Sequence, residues 1–259
     1  MNRFLVPAFL ACRLWAQVLT VAEARADLDG DGIPDLLGCT VTIAAVATCE
    51  GTLFSSTGLS FYVQDETAGI NVYAQSSASP PGGIVAGDLY LITGEIKFYK
   101  GLTEISPSTP SDFQYLGSPG VPQPLYLPRH GRINESMEGT LVVFGDTSLD
   151  HWVTVVDTPS MSGGGWNFSA WNGDALIAVR VMATTGIDLS DIGPGTRLVM
   201  TGIAGQYSSV APYDTGYQLL PRYQQDIAVY SPSVSSAFHL DVRGNPFAPV
   251  LGEVMTVEY

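Results

Sequence analysis

Gly87-Asp88-Leu89-Tyr90-Leu91-Ile92-Thr93-Gly94-Glu95-Ile96 and Gly195-Thr196-Arg197-Leu198-Val199-Met200-Thr201-Gly202-Ile203-Ala204 share one pattern. Each begins with Gly, runs on in apolar residues, and meets a second Gly directly after a Thr. Tyr99 and Tyr207 follow at the same offset, and Asp112-Phe113 and Asp226-Ile227 close the two copies. An internal repeat of this kind implies two similar structural units. β-branched and aromatic residues in such runs favour strands. A Gly in the middle of a long strand suits a strong bend, as when a small barrel closes.

Strands are expected over 40–48, 60–64, 70–74, 88–99 and 102–106. A second set is expected over 137–144, 152–156, 175–182, 197–206 and 217–229. Gly, Pro, Asn and Asp separate these runs, and helical periodicity is almost absent. Five strands with a coiled first strand and a bent fourth describe an OB barrel. The fold class expected is therefore all-β: two tandem five-stranded OB-like barrels, 38–113 and 137–230. A Pro-rich connector, 114–136, is expected to join them. The prolines from Pro107 to Pro128 make the stretch after the first barrel extended rather than floppy.

Phe61-Tyr62-Val63-Gln64-Asp65-Glu66-Thr67-Ala68-Gly69-Ile70-Asn71-Val72-Tyr73 resembles the strand-turn-strand signature of OB-like domains attached to bacterial extracellular nucleases. So does 87–101, with its Gly-Asp, Thr-Gly and Tyr-Lys-Gly landmarks. Gly216-Tyr217-Gln218-Leu219-Leu220-Pro221-Arg222, followed by Asp226-Ile227, resembles the closing strand of the second module in those proteins. The resemblance implies an accessory module of a nuclease-like secreted protein, with a catalytic domain elsewhere in a longer chain. The tail, 231–259, resembles the first strands of small immunoglobulin-like domains of the flagellar hook-capping type. It is too short for a seven-stranded sandwich. It is read as the start of such a sorting domain or as a segment packed on the second barrel.

Met1 to Ala26 reads as an export signal: Arg3, an apolar run from Phe4 to Cys12, and Ala24-Arg25-Ala26 as a small-x-small cleavage pattern. Arg13 and Glu23 fit this less well, and an ordinary N-terminal helix is the other reading. The expected location is secreted, extracellular or at the cell surface. No other apolar run has the length of a membrane helix. Cleavage after Ala26 would leave Cys39 and Cys49. A strand between them holds their Cα atoms too far apart for a disulfide, so two thiols are expected.

Asp27-Leu28-Asp29-Gly30-Asp31-Gly32-Ile33-Pro34-Asp35, within 27–37, is a ladder of carboxylates. Asp27, Asp29, Asp31 and Asp35, with the Ile33 carbonyl, form an all-oxygen set suited to structural Ca2+. Position 12 of an EF-hand would be Glu, and here it is Gly38. A solvated acidic turn is the alternative.

The 259 residues carry 11 Lys and Arg against 25 Asp and Glu, a net charge of −14. Proteins that grip phosphate backbones need cationic surfaces, and neither module has one. Residues 27–106 hold ten acids against Lys97 and Lys100, and 137–230 hold nine against three Arg. His130, His151 and His239 lie far apart. There is no Gly-x-Ser-x-Gly elbow and no phosphate loop. Asp65-Glu66 reads as a turn, Gly163-Gly164-Gly165 as a flexible loop, and the chain as non-catalytic.

OB barrels bind ligands on the face of their second and third strands. Tyr62, Tyr73 and Tyr99 beside Lys97 and Lys100 form the stacking-plus-charge pattern of weak single-stranded nucleic-acid contact. Half-buried barrel tyrosines are the plainer reading. Trp152, Trp166 and Trp171 in the second module suit sugar rings, so an oligosaccharide is the other ligand class. A purely structural, calcium-stiffened spacer is the third reading.

Overall fold

The bend at the central Gly of each repeat decides the architecture. The computed structural model describes residues 17–230. The strands are β1 (Val18–Leu19), β2 (Thr40–Ala47), β3 (Gly58–Gln64), β4 (Gly69–Gln75), β5 (Leu89–Tyr99), β6 (Leu102–Ser106) and β7 (Phe113–Gly117). They continue with β8 (Leu125–Leu127), β9 (Leu141–Phe144), β10 (Val153–Val155), β11 (Ser160–Ser162), β12 (Gly165–Trp171), β13 (Leu176–Met182), β14 (Arg197–Gln206), β15 (Tyr217–Leu220) and β16 (Ile227–Val229). A single helical turn, α1 (Val21–Ala24), carries a Thr20–Glu23 capping box.

The first sheet closes on itself. Its order is β2-β3-β4-β6-β5, and β5 returns to β2 through pairs running from Thr40↔Glu95 to Val46↔Leu89. β4 and β6 are the parallel pair and the other contacts in the ring are antiparallel. This is the OB-type connection expected from the sequence. Phe61, Ile43, Ile70, Ile92 and Ile105 fill the interior and are fully buried. A Cβ on Gly94 would sit 2.8 Å from the Ser106 carbonyl carbon and 2.9 Å from the Pro107 nitrogen. No other residue fits there without a shift, which is the physical content of the repeated Thr-Gly.

The second sheet follows the same order, β10-β12-β13-β15-β14, with β13 and β15 parallel. Gly202 repeats the role of Gly94: a Cβ there would meet the Leu220 carbonyl oxygen at 2.7 Å. Its first strand is split into β9 and β10 by residues 145–152, which leave the ladder at the Asp146↔His151 bridge. β10 meets β14 only at Val153↔Leu198 and Thr154↔Arg197. Each copy ends in a 3-10 turn, Pro110–Asp112 or Gln224–Asp226, that feeds a short strand onto the bent one.

Several expectations need correction. The stretch 114–136 is not a plain connector: it holds the end of β7, paired with β5, and β8, paired in parallel with β9. The Gly163-Gly164 loop is the turn of a β11–β12 hairpin, with Met161 opposite Trp166. Alternation over Ser160–Ser162 is too short to register as a strand. The run 217–229 is broken at Pro221, where the chain turns through Arg222 before β16.

The N-terminal segment packs on the first sheet. β1 pairs in parallel with β2, and Val21 and Ala24 are fully buried in the first core. Arg25 Nη2 lies 3.0 Å from Glu138 Oε1 and 3.1 Å from Glu135 Oε1. Arg25 Nη1 donates to the carbonyls of Gly69 and Glu138. A cut after Ala26 would remove a strand and the counter-ion of a buried carboxylate. Residues 18–25 therefore read as structure. The apolar run 4–12 and the tail 231–259 lie outside the described residues. Cys39 and Cys49 are buried and are not joined in a disulfide. Burial pushes the Cys49 thiol up to about 12.

The two sheets meet tightly. Leu141, Ile203 and Leu220 of the second copy join the first core. Arg222, paired with Asp226 in a buried bridge at 2.9 Å, also donates to the Thr48 carbonyl of the first copy. The Tyr223 hydroxyl donates to Glu50, and the Leu141 amide donates to Gln64.

Candidate functional site

Strand register places one row of side chains straight across the first barrel. Tyr62 lies opposite Asn71, Asn71 opposite Glu104, and Glu104 opposite Lys97. Side chains of directly paired residues share a face, so this row runs over the outer face of β3, β4, β6 and β5. Ser60 and Tyr73 form the next row.

That face is not open to solvent. The second sheet stands against it and leaves a cleft of about 810 Å³. Tyr62, Tyr73, Tyr99, Asn71 and Glu104 line one wall, and Asn167, Arg180, Met182, Gln218 and Leu220 line the other. Tyr99 and its repeat counterpart Tyr207 touch edge to face, ring centroids 6.4 Å apart. The sequence repeat thus becomes a contact between its own copies at the cleft.

The cleft is aromatic at its mouth and polar within. Tyr73, Tyr99 and Tyr207 are about half exposed, whereas Tyr62 is buried against the edge of Phe54. Burial drives the Tyr62 hydroxyl far up, helped by the charges of Glu138 and Glu104. Asn71 is 2% exposed and donates through Nδ2 to the Phe61 carbonyl. Glu104 is 8% exposed; burial pushes its carboxyl up to about 7, and Lys97 opposes the rise. Arg180 braces the β11–β12 hairpin by donating to the Ser162 and Gly163 carbonyls and to Asn167 Oδ1.

The residues expected to bind a ligand divide. Tyr62, Tyr73 and Tyr99 come together in the cleft. Lys97 flanks it through its pairing with Glu104. Lys100, with φ 55°, sits in the β5–β6 turn, where its carbonyl accepts from the Ser208 amide. Trp152 is stacked on Tyr230 at 5.0 Å with the Arg197 guanidinium over its ring, away from the cleft. Trp171 is exposed at the end of β12 and is not a wall of the cleft. Asn71, Glu104, Arg180, Gln206 and Gln218 were not singled out from the sequence. The available signal was a polar residue inside an otherwise apolar strand, as at Asn71 and Glu104.

The aspartate ladder is partly gathered. Carboxylate oxygens of Asp27, Asp29 and Asp35 lie within 4.8 Å of one another. Asp31 is not in that group; its Oδ1 accepts from the Ile33 amide. Burial is the largest single influence on the Asp27 carboxyl and raises it, but the amides of Gly30, Asp31 and Gly32 donate to it and together hold it below the usual range.

Among the described residues no helix is long and apolar enough to cross a membrane. No family model matches the chain. Among solved structures it is similar to the p204 HINb domain (14% identity, 68% of this chain and 90% of that one, TM-score 0.34). It is similar also to the tetrameric p202 HIN2 (14%, 73% and 93%, TM-score 0.36). A third is a murine DNA-binding protein bound with double-stranded DNA (12%, 70% and 95%, TM-score 0.32). Likenesses this distant carry no argument about function. The sequence match is stronger: 30% identity over 216 residues to Endonuclease YhcR of Bacillus subtilis (strain 168), covering 82% of this chain and 16% of that protein. The chain spans about a sixth of that relative's length, and what the two share is a nuclease-associated, OB-like region long enough to need both sheets.

Proposed function

We propose that this chain is a non-catalytic, secreted accessory module that makes weak contact with single-stranded nucleic acid beside a nuclease-like catalytic domain. The 30% identity to an endonuclease, over most of this chain and a small part of the relative, carries the reading. In the same reading the second copy acts as a complete OB unit, like the first. The cleft supplies aromatic stacking surfaces, and Lys97 and Lys100 supply the few cations available. Stacking tolerates any base, and two cations give modest affinity.

The test is titration of a fluorescent oligo-dT at a series of salt concentrations. Two phosphate contacts give a slope of log K against log salt of about −1.4. Y73A should weaken binding without changing that slope, and K97A should flatten it. No binding at low salt would remove the proposal. A carboxylate- and amide-lined cleft also suits sugar hydroxyls, so binding of an oligosaccharide instead would shift the reading to a glycan-binding surface module.

A further inference from the structure

The groups in the cleft that lack partners are acceptors. No described residue donates a hydrogen bond to the Glu104 carboxylate; its oxygens, unlike Gln206 Oε1, are not shut off from solvent, and the charge of Lys97 acts on it. Gln206 Oε1 is buried with no partner, while its Nε2 is committed to the carbonyls of Tyr213 and Thr215. Buried polar atoms are nearly always hydrogen-bonded in folded proteins. Gln206 Oε1 is closed to a ligand, whereas Glu104, on the wall of the cleft with its oxygens reaching solvent, is open to donors from outside. Phosphate offers only acceptors and negative charge and is the wrong group for this wall.

The second sheet also changes what the face can hold. An open OB face lets a strand lie along it. Here Asn167, Arg180 and Gln218 stand opposite, and the space between is about 810 Å³, within the range of about 300–1,000 Å³ for small-ligand sites. We propose that the cleft between the sheets takes one unpaired nucleobase bearing adjacent N–H donors, a guanine-type edge, with Glu104 receiving both N–H groups and the tyrosines at the mouth stacking on its ring. This rests on the nucleic-acid reading above and deepens it. A carboxylate has two oxygens side by side and matches a pair of parallel N–H donors on one edge. Adenine, thymine and cytosine do not present that pair of donors. The flanking phosphates stay outside, near Lys97 and Lys100.

The experiment uses the full chain and seven-nucleotide strands of thymidine with a single guanine, hypoxanthine, adenine or cytosine at the centre. Tyrosine fluorescence and a labelled strand give two independent readouts. Guanine should bind tenfold or more tighter than adenine or cytosine, in line with the discrimination of a bidentate base contact. Hypoxanthine, which lacks the second donor, should fall between. Glu104→Gln keeps the shape of the side chain and should abolish the guanine preference, so that the guanine strand binds no tighter than the adenine and cytosine strands. Thermal melting of E104Q checks that it is folded, and Q218A, on the opposite wall, gives a second variant that should also reduce the preference.

Equal binding of all four strands overturns the base-reading proposal and leaves strand contact standing. Absence of binding to every strand at low salt overturns both. Binding of a tetramer of N-acetylglucosamine that E104Q abolishes, with no response to the guanine strand, also overturns it and identifies the cleft as a sugar site.

Discussion

The two copies of the repeat have the same strand order and close to different extents. In the first, β2 runs unbroken and pairs with β5 along its length, from Thr40↔Glu95 to Val46↔Leu89. In the second, the equivalent strand is cut by residues 145–152, so β9 and β10 each hold only part of β14. The second copy compensates by leaning on the first: Leu141, Ile203 and Leu220 sit in the first core. The same strand order thus carries an unbroken closing ladder in the first copy and an interrupted one in the second. The first barrel borrows as well, from the N-terminal segment whose Arg25 neutralises Glu138 of the second copy.

The comparison predicts where the molecule breaks. A chain starting at Asp27 loses β1, α1 and Arg25. It should be destabilised by about 5 kcal/mol or more relative to one starting at Gln17, through lost burial and an unpaired Glu138. Denaturant midpoints for the two chains measure it, and equal midpoints would restore the idea that the segment is dispensable.

R25A tests the same contact alone. Removing one partner of a buried pair costs about 3–5 kcal/mol. Glu138 is raised to about 7 by burial despite Arg25, so the carboxyl takes a proton in acid. The loss should therefore be smaller at pH 5 than at pH 8.

G94A and G202A set the two bends against each other. Both alanines would press on backbone atoms closer than 3 Å, and each should cost about 1–3 kcal/mol. A neutral G202A would mean that the second sheet is not drawn as tight as the first.

Glu104 has a raised pKa in the folded state, from 4.5 to about 7. Its protonated form favours folding, so its contribution is full below about pH 4.5 and is lost as pH rises through 7. E104Q should gain about 2–3 kcal/mol over the parent at pH 8 and nothing near pH 4. Urea melts across that range give the difference, and a flat difference would contradict the burial of this carboxyl.

Calcium is the smallest effect. If Asp27, Asp29 and Asp35 hold the ion, ten times Kd of calcium should add about 1.4 kcal/mol, reversed by chelation. An unchanged melting temperature would leave the loop as a solvated turn.

Much of the fold was legible. The Thr-Gly repeat, the period-2 runs and the Asp-turn closures located both copies because backbone bending and strand pleating are local demands on residue type. The hairpin at Ser160–Ser162 and the strand Leu125–Leu127 were not legible, because three residues carry too little periodicity. For the site, Tyr62, Tyr73 and Tyr99 were found as aromatics on one module. Trp152 and Trp171 were drawn in by residue type alone and lie elsewhere.

Read in order, the residues give an all-β, repeated and acidic chain. Alternation, repetition and charge are properties of the chain taken in order. That the two copies face each other over Glu104, that Tyr99 meets Tyr207, and that Arg25 answers Glu138 emerges from the folded molecule alone. Those pairings join residues about a hundred positions apart. What brings them together is packing of whole sheets, which no local pattern records.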